Sequence, residues 1–245
     1  MSNKSRKKFS ISILVLTLLV AVYLFVHSSF FNIEKVFITG LETVSTSEIL
    51  ALAGIKVGTN IFAVNEEVCT RSVQIHPMVK KATVIRHLPR KIEIKVTERK
   101  MWAVIPYNQS FLCIDDAGIC MDKANNVNME NYPIITLATP PQHVIVGQAV
   151  AQAPTRMIRQ VWNLLSSSAR QQISEFHYIN PQQGLVLFTV KGTEIKFGGL
   201  DRAKEKAELI DQILTMEQDF PTKYKTVLQY VDLRYDGQPV IKTKN

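Results

Sequence analysis

Residues 78–97 read MVKKATVIRHLPRKIEIKVT, two strand-like runs on either side of a proline turn. In the second run apolar and polar side chains alternate strictly, at Ile92, Glu93, Ile94, Lys95, Val96 and Thr97. A period of two is typical of a β-strand with one buried face. Leu88-Pro89-Arg90 provides turn chemistry, and Met78–Arg86 forms the partner strand. The stretch therefore predicts a β-hairpin whose apolar face must be covered by other elements.

The chain before this hairpin supplies one strand and two helices. Ile33–Thr39 is rich in β-branched and aromatic residues and predicts a strand. Ser45-Thr46-Ser47-Glu48 is a capping box that opens a helix, and Gly54 ends it. Asn65 caps a second helix, which ends before the next proline because proline disfavours helical geometry in the residue preceding it. Residues 32–100 therefore predict a compact β-α-α-β-β unit.

An uncharged run of 23 residues, Phe9–Phe31, precedes this unit. As one α-helix it would span about 34 Å, enough for a hydrocarbon core of about 30 Å. Residues 1–8 form a basic tail, so the positive-inside rule predicts that this tail is cytoplasmic and that the chain after about residue 31 lies outside. A signal peptide cleaved after Ser28 is the alternative, but its apolar region would be shorter, about 7–15 residues. The sequence predicts a single uncleaved transmembrane helix over residues 9–31.

Composition narrows the class of protein. The 245 residues contain 29 Lys+Arg and 21 Asp+Glu, a net charge of +8, and half of that excess lies in the basic tail. A broad nucleic-acid-binding face is therefore not indicated. A hydrophobic content of 46% excludes a disordered chain. Three cysteines are too few for a disulfide scaffold.

Residues 101–245 predict a second, β-rich domain. Short β-branched and aromatic runs predict strands at residues 103–105, 111–114, 119–121, 173–179, 185–190, 194–197, 227–235 and 239–242. One amphipathic helix surrounds Val161, and another begins at Leu200 and ends before Pro221. Residues 122–153 predict a long irregular connection because prolines interrupt them. The expected fold class is α+β: a single N-terminal transmembrane helix, the β-α-α-β-β domain, and a mixed β domain with helices and a C-terminal antiparallel hairpin.

Motifs that carry chemistry are absent from the sequence. There is no Gly-x-Ser-x-Gly elbow, no His-Glu-x-x-His pair and no phosphate-binding loop. The five histidines, at positions 27, 76, 87, 143 and 177, are scattered singly. Asp115-Asp116 precedes Ala-Gly and is typical of a turn rather than of an acid–base pair. We therefore predict no catalytic residue, no cofactor and no metal site, and a protein that is not an enzyme.

Cys113 and Cys120 leave two alternatives open. If residues 115–118 form a four-residue hairpin loop, the two cysteines face each other with Cβ atoms about 4.5–5.5 Å apart. Small shifts would then allow a disulfide in an oxidising compartment. The alternative is a pair of free thiols on half-buried strands. Cys69 lies on a helix face and is expected to be a small core residue.

Several segments occur together in an order and spacing that point to one family. After the basic tail and the single anchor come FNIEKVFITG (31–40), GTNIF (58–62), HPMVKKA (76–82), RHLPRKI (86–92), ER (98–99) and YVDLRY (230–235). This series resembles the FtsQ/DivIB family of bacterial cell-division proteins over nearly the whole chain. It departs from the family at Met78, where tryptophan is usual. It also departs after Arg99, where Lys100-Met101-Trp102-Ala103 stands in place of the usual Pro-x-Ala.

The resemblance implies a specific organisation and role. Residues 32–100 would be a POTRA domain and residues 101–245 the FtsQ-type β domain. The protein would be a non-enzymatic scaffold that links early and late division proteins and helps control septal peptidoglycan synthesis. Its partners would be bitopic division proteins of the FtsB and FtsL type. It would cross the cell inner membrane once at the division septum, with its bulk in the periplasm.

Two other classes of protein remain as alternatives. A membrane-anchored periplasmic enzyme acting on cell-wall material would need converging carboxylates or a nucleophile–base pair. A POTRA-type chaperone for protein export would favour repeated POTRA units, and the sequence has one.

The partner-binding residues are expected in the last hairpin, at Tyr230, Arg234, Tyr235, Gly237 and Val240. No later segment covers the final strand, so the peptide groups of its outward-bonding residues, such as Val240, would be open to a partner strand. Tyrosine and arginine are enriched in interface hot spots. The family resemblance implies FtsB binding by strand addition at this place. In the alternative interpretation, Val231 and Leu233 are core residues while Arg234 and Tyr235 cover a solvated edge.

Overall fold

A computed structural model describes residues 3–129, 132–224 and 227–244. The chain is α+β and forms two units, the first ending at Arg99 and the second beginning at Lys100. Residues 1 and 2 of the expected basic tail lie outside the described residues.

The first unit starts with the apolar helix α1 (Asn3–Val26). Its segment Lys8–Val26 is long and apolar enough to cross a membrane. The helix is shorter at its end than predicted: it stops at Val26, and a 3₁₀ helix, Ser29–Phe31, follows. The reason is local, because the hydroxyl of Ser28 donates to the carbonyl of Phe25 at 2.7 Å and competes with the helical hydrogen bonds.

The rest of the first unit has the predicted order β-α-α-β-β. The elements are β1 (Lys35–Thr39), α2 (Thr46–Ala53), a 3₁₀ turn (Ile61–Ala63), α3 (Glu66–Gln74), β2 (Val79–His87) and β3 (Lys91–Glu98). The strands form a three-stranded sheet in the order β1-β3-β2. β1 is parallel to β3, and β2 is antiparallel to it. The two helices cover the sheet over a core of buried aliphatic side chains, among them Ile33, Ile49, Val73, Ile92 and Ile94.

The helix boundaries of this unit follow from the capping residues predicted in the sequence. The Ser45 hydroxyl accepts the N–H of Glu48, and Gly54 adopts the left-handed conformation with φ 63°. The Asn65 side chain accepts the N–H groups of Glu67 and Val68. Each cap satisfies backbone groups that the first or last turn of a helix leaves without partners.

A buried carboxylate, Glu98, holds the loop between β1 and α2. Only 7% of Glu98 is exposed, and its carboxylate accepts the N–H groups of Glu42, Thr43 and Val44 at 2.9–3.1 Å. It also accepts the hydroxyl of Thr43. Burial raises the pKa of Glu98, but these hydrogen bonds outweigh that effect and lower the pKa to about 2.

The second unit is built on one nine-stranded sheet. Its strands are β4 (Met101–Tyr107), β5 (Ser110–Asp115), β6 (Cys120–Ala124), β7 (Ile134–Leu137), β8 (Ile173–Asn180), β9 (Gly184–Thr189), β10 (Glu194–Gly198), β11 (Val227–Asp232) and β12 (Val240–Lys244). Its helices are α4 (Gln152–Leu164), α5 (Ser167–Gln172) and α6 (Ala203–Tyr224). The strand order is β12-β11-β10-β9-β8-β7-β4-β5-β6. Helix and strand residues share one buried core that includes Ile158, Phe176, Phe197, Ile210 and Val231.

The prediction of an irregular connection over residues 122–153 is wrong in its middle. β7 lies in that stretch, near the centre of the sheet, and is parallel to both β4 and β8. It connects the two halves of the sheet, although it is only four residues long. α5 was also not predicted, and α6 continues to Tyr224 instead of ending before Pro221.

The predicted opposition of Cys113 and Cys120 is also wrong. A β-bulge shifts the β5–β6 register by one residue between Cys113 and Ile114, and Cys113 pairs with Asp122 while Ile114 pairs with Cys120. All three cysteines are free and buried, and burial raises the pKa of each thiol. Thiols with raised pKa values are poor nucleophiles at neutral pH. The structure therefore has two free thiols on neighbouring strands.

Candidate functional site

The candidate site is the open edge of the nine-stranded sheet, formed by β12. β12 pairs with β11 on one side, and no other strand in the described part of the chain pairs with its second side. All of its residues are exposed. β11 lies between β12 and the parallel strand β10, so the core anchors it firmly. An open strand on an anchored neighbour can accept another strand by main-chain hydrogen bonding.

The register determines which peptide groups of β12 face outward. The N–H of Leu233 donates to the carbonyl of Lys196 at 3.0 Å, so the peptide groups of Leu233 point toward β10. Because residues two apart in a strand point the same way, the peptide groups of Val231 also point toward β10. Tyr230 and Asp232 consequently direct theirs toward β12, where they pair with Lys242 and Val240.

The remaining residues of β12 supply the open edge. Ile241 and Thr243 alternate with Val240 and Lys242 and therefore direct their N–H and C=O groups away from β11. The peptide groups of Val240 face β11, so the prediction that Val240 bonds outward is wrong.

The loop that joins β11 to β12 is fastened to the start of α6. Arg202 donates from Nη2 to the carbonyl of Tyr235 at 2.8 Å, and its Nε lies 2.7 Å from the Asp236 carboxylate. Gly237 adopts φ 98° in this loop, a conformation that favours glycine. Arg202 itself has φ 48°, which is uncommon for a residue with a side chain. Strand β12 is thus presented on a loop held by side-chain contacts at its base.

Arg234 is held by an ion pair with Asp232. Its Nε and Nη2 lie 2.9 Å and 2.6 Å from the two carboxylate oxygens, and its backbone N–H donates to the same carboxylate. The guanidinium lowers the pKa of Asp232, and the carboxylate raises the pKa of Arg234. This turn ends β11 at Asp232, so the strand is shorter than the predicted Val227–Tyr235. Gly198 has φ 74°, which favours glycine, and a Cβ there would lie 2.8 Å from Arg234 Cγ and displace that side chain.

Tyrosine and aliphatic side chains give this edge an apolar surface. Tyr235 is 66% exposed and stacks near the Arg234 guanidinium, with 5.5 Å between Cζ and the ring centroid. The ring of Tyr230 lies 4.1 Å from the ammonium of Lys196 and 5.8 Å from that of Lys242. Exposed apolar residues that border a polar rim are typical of protein-binding sites. In the hairpin these are Val227, Tyr235, Val240 and Ile241.

The five residues predicted from the sequence all lie in this hairpin or its loop. Tyr235 and Val240 are exposed, and Tyr230 is partly buried. The guanidinium of Arg234 forms an ion pair with the carboxylate of Asp232. Sequence reasoning missed Arg202, which lies far away in the chain and has no motif. It also missed Ile241, although alternation along residues 240–244 indicates that one of two neighbouring residues faces outward.

Among the described residues, no group of three or more His, Cys, Asp or Glu side chains could hold a metal ion. Asp115, one of the two neighbouring carboxylates considered above, accepts the N–H groups of Ala117 and Ile119 in a turn. What the edge offers is a row of peptide groups and apolar side chains, which can bind an extended peptide.

Comparison with known proteins gives matches along both units. Residues 31–99 match the family profile described as POTRA domain, FtsQ-type, and residues 103–234 match the profile of the FtsQ/DivIB C-terminal domain. The chain is 26% identical over 220 residues to cell division protein FtsQ of Geotalea daltonii, covering 88% of this chain and 77% of that protein. It is 24% identical over 244 residues to cell division protein DivIB of Clostridium botulinum, covering 97% and 93%. Among solved structures, the extracytoplasmic domain of DivIB from Geobacillus stearothermophilus aligns with 52% of this chain and 98% of that domain, at 12% identity and a TM-score of 0.32.

Proposed function

Because the chain belongs to the FtsQ/DivIB family of cell division proteins, we propose that it is a membrane-anchored scaffold of the division machinery. In this proposal it links early and late division proteins and helps control septal peptidoglycan synthesis. It binds bitopic partners of the FtsB and FtsL type and acts on no substrate of its own. α1 anchors it in the cell inner membrane, with the N-terminus in the cytoplasm and both folded units in the periplasm.

The observation that carries the proposal is the open edge of β12. A partner segment that adds as a tenth strand would satisfy the outward peptide groups of Ile241 and Thr243. Its side chains would contact Tyr235, Val240 and Ile241, which are exposed in the free chain. Main-chain pairing supplies affinity in this recognition mode, and the neighbouring side chains supply specificity.

A direct test measures binding and catalysis on the same sample. The chain from Asn32 onward is titrated by calorimetry with the periplasmic segment of an FtsB-type protein, and separately incubated with peptidoglycan fragments. We expect saturable binding with a negative heat-capacity change, because apolar surface is buried, and no turnover. Turnover without binding would favour the anchored-enzyme alternative.

The anchor gives the next prediction. A reporter that is active only outside the cytoplasm, fused after Asn245, should be active and remain in the membrane fraction. Leu18→Asp should reduce membrane insertion, since a carboxylate at the helix centre costs about 2.5–3.5 kcal/mol. Leu18→Ala, which adds no charge, is the matched control. A smaller, soluble and active fusion would instead indicate cleavage near Ser28 and refute the anchor.

A further prediction concerns the first unit. We propose that residues 32–100 serve to recruit the protein to the division site, because they form a self-contained domain next to α1. A chain in which α1 is joined directly to residue 101 should lose its concentration at midcell, seen with a fluorescent fusion. Its binding to an FtsB-type segment should persist, because β11 and β12 are retained. Normal midcell localisation of the shortened chain would show that this role is wrongly assigned.

A further inference from the structure

The junction between α1 and the first folded unit carries a cluster of aromatic rings. Phe31 lies 5.2 Å from Phe25, 5.0 Å from Phe30 and 5.1 Å from Phe62, measured between ring centroids. Phe62 belongs to the 3₁₀ turn that precedes α3, so the cluster joins the end of α1 to the folded domain. Phenylalanine is among the apolar residues that membrane-surface segments bury at the boundary between headgroups and acyl chains.

Hydrogen bonds fix the loop of residues 57–62 at the level where α1 ends. The side chain of Asn60 donates to the carbonyl of Val26, the last residue of the helix, at 2.8 Å. The N–H of Ile33 donates to the carbonyl of Thr59, and Gly58 donates to the carbonyl of Ile33, both at 2.8 Å. The position of this loop along the helix axis is therefore fixed by its contact with the end of α1.

The length of α1 places that level inside the interfacial region of the bilayer. Its uncharged helical segment, Phe9–Val26, is about 27 Å long, slightly less than a hydrocarbon core of about 30 Å. The residues just beyond Val26 then lie at the boundary between acyl chains and headgroups.

Exposed apolar side chains gather at the same end of the domain. Val57 is 64% exposed and Phe62 42% exposed, and Phe30 and Leu88 are exposed as well. Leu88 belongs to the β2–β3 turn, where Arg90 donates to the carbonyl of Ser29 at 3.2 Å. In water these side chains would be an apolar patch without a cover.

Basic side chains lie beside this patch. Lys35 and Lys91 lie opposite each other at the start of β1 and β3, and Lys91 follows Arg90. Lys56 precedes Val57, and all three lysines are exposed. The neighbouring acidic residues are paired with arginines: Glu34 with Arg90 at 3.6 Å, Glu66 with Arg86 at 3.3 Å and Glu67 with Arg71 at 3.8 Å. Lysines near a bilayer surface are attracted to anionic headgroups.

We propose that this end of the first unit is a membrane-docking surface, in which Val57 and Phe62 insert into the outer leaflet of the bilayer that α1 crosses. We call this set, with Phe30 and Leu88, the lipid-facing patch. The occupant is a phospholipid bilayer containing anionic headgroups, since the patch continues the surface by which α1 meets lipid. The first unit would then rest on the membrane at a fixed height. This inference depends on the proposed anchor.

The test uses tryptophan as a depth probe in the full-length chain, reconstituted in vesicles of zwitterionic and anionic phospholipids. Separate variants carry Phe62→Trp, Val57→Trp, Leu18→Trp in the anchor, and Ile75→Trp. Ile75 is an apolar site in the same domain and 73% exposed. It follows the end of α3, whereas Phe62 precedes its start, and the nine residues of this helix rise about 14 Å. Emission is compared with that of the unchanged chain, with and without lipids brominated high on the acyl chain.

We expect the brominated lipids to quench the emission of Leu18→Trp. They should remove roughly half of the added emission of Phe62→Trp and Val57→Trp, because interfacial groups lie within about 5–10 Å of the boundary. The emission of Ile75→Trp should be unchanged. Quenching of Leu18→Trp without quenching of Phe62→Trp or Val57→Trp would overturn the docking surface and leave the anchor intact. Equal quenching of Ile75→Trp would also overturn it, because adsorption would then not be specific to the patch. If Leu18→Trp itself is unquenched, the anchor and the docking surface both fall.

Discussion

Ile241→Pro is expected to weaken binding of an FtsB-type segment by about fivefold to 150-fold. The substitution removes an N–H that faces the open edge and leaves a carbonyl of the added strand without its donor, at a cost of about 1–3 kcal/mol. Proline is tolerated at this place because the lost N–H does not bond to β11. Calorimetric titration measures the binding constant, and thermal unfolding measures whether the hairpin persists.

Matched variants separate the main chain from the side chain. Ile241→Val keeps the N–H and most of the volume and should bind within about twofold of the unchanged chain. Tyr235→Ala should have an intermediate effect, because it removes an exposed ring but no peptide group. Val240→Pro should lower binding together with thermal stability, since its N–H belongs to the β11–β12 pairing. If Ile241→Pro and Thr243→Pro both bind normally with the fold intact, strand addition at β12 is refuted.

Glu98→Ala is expected to destabilise the first unit by about 2–4 kcal/mol, because the N–H groups of Glu42, Thr43 and Val44 and one hydroxyl lose a charged acceptor. Hydrogen exchange can locate the loss, since the amides of Glu42, Thr43 and Val44 should lose their protection first. Glu67→Gln is the control, because its carboxylate is exposed and its only described ion pair, to Arg71, is long at 3.8 Å. Unchanged protection of these amides in Glu98→Ala would contradict this interpretation.

The same contact predicts a pH dependence. The pKa of Glu98 is about 2 in the folded chain, below the ordinary value of 4.5. A carboxylate with a lowered folded pKa stabilises the protein fully above its unfolded pKa, and this contribution is lost as the pH falls through the folded value. The unchanged chain should therefore lose stability between about pH 4.5 and pH 2 by more than Glu98→Gln does. Parallel losses in the two proteins would show that other carboxylates control the acid transition.

Local patterns were sufficient for the first unit. The caps at Ser45 and Asn65, the left-handed Gly54 and the alternation at Ile92, Ile94 and Val96 all have the structure that the sequence predicts. Each depends on contacts within a few residues, so the information lies in a short window. The apolar run of α1 is equally local, but its end at Val26 depends on the polar side chains of His27 and Ser28, which a hydropathy count passes over.

The second unit shows what a local pattern cannot contain. β7 has four residues and a proline before it, too short to show a period, yet strands on both sides stabilise it. The residue shift that separates Cys113 from Cys120 depends on how two strands slide against each other. Neither feature can be predicted from one segment, because each depends on the pairing of one strand with another.

For the candidate site, the sequence by itself determined that a last hairpin exists and that Tyr230, Arg234, Tyr235, Gly237 and Val240 belong to it. Only the tertiary structure decided that Ile241 and Thr243 carry the outward peptide groups of β12 and that Arg202 holds the loop. The physical reason is that the direction of a peptide group is fixed by the neighbouring strand. In β12 that direction depends on β10 and β11, because the bond from Leu233 to Lys196 fixes the alternation across the hairpin.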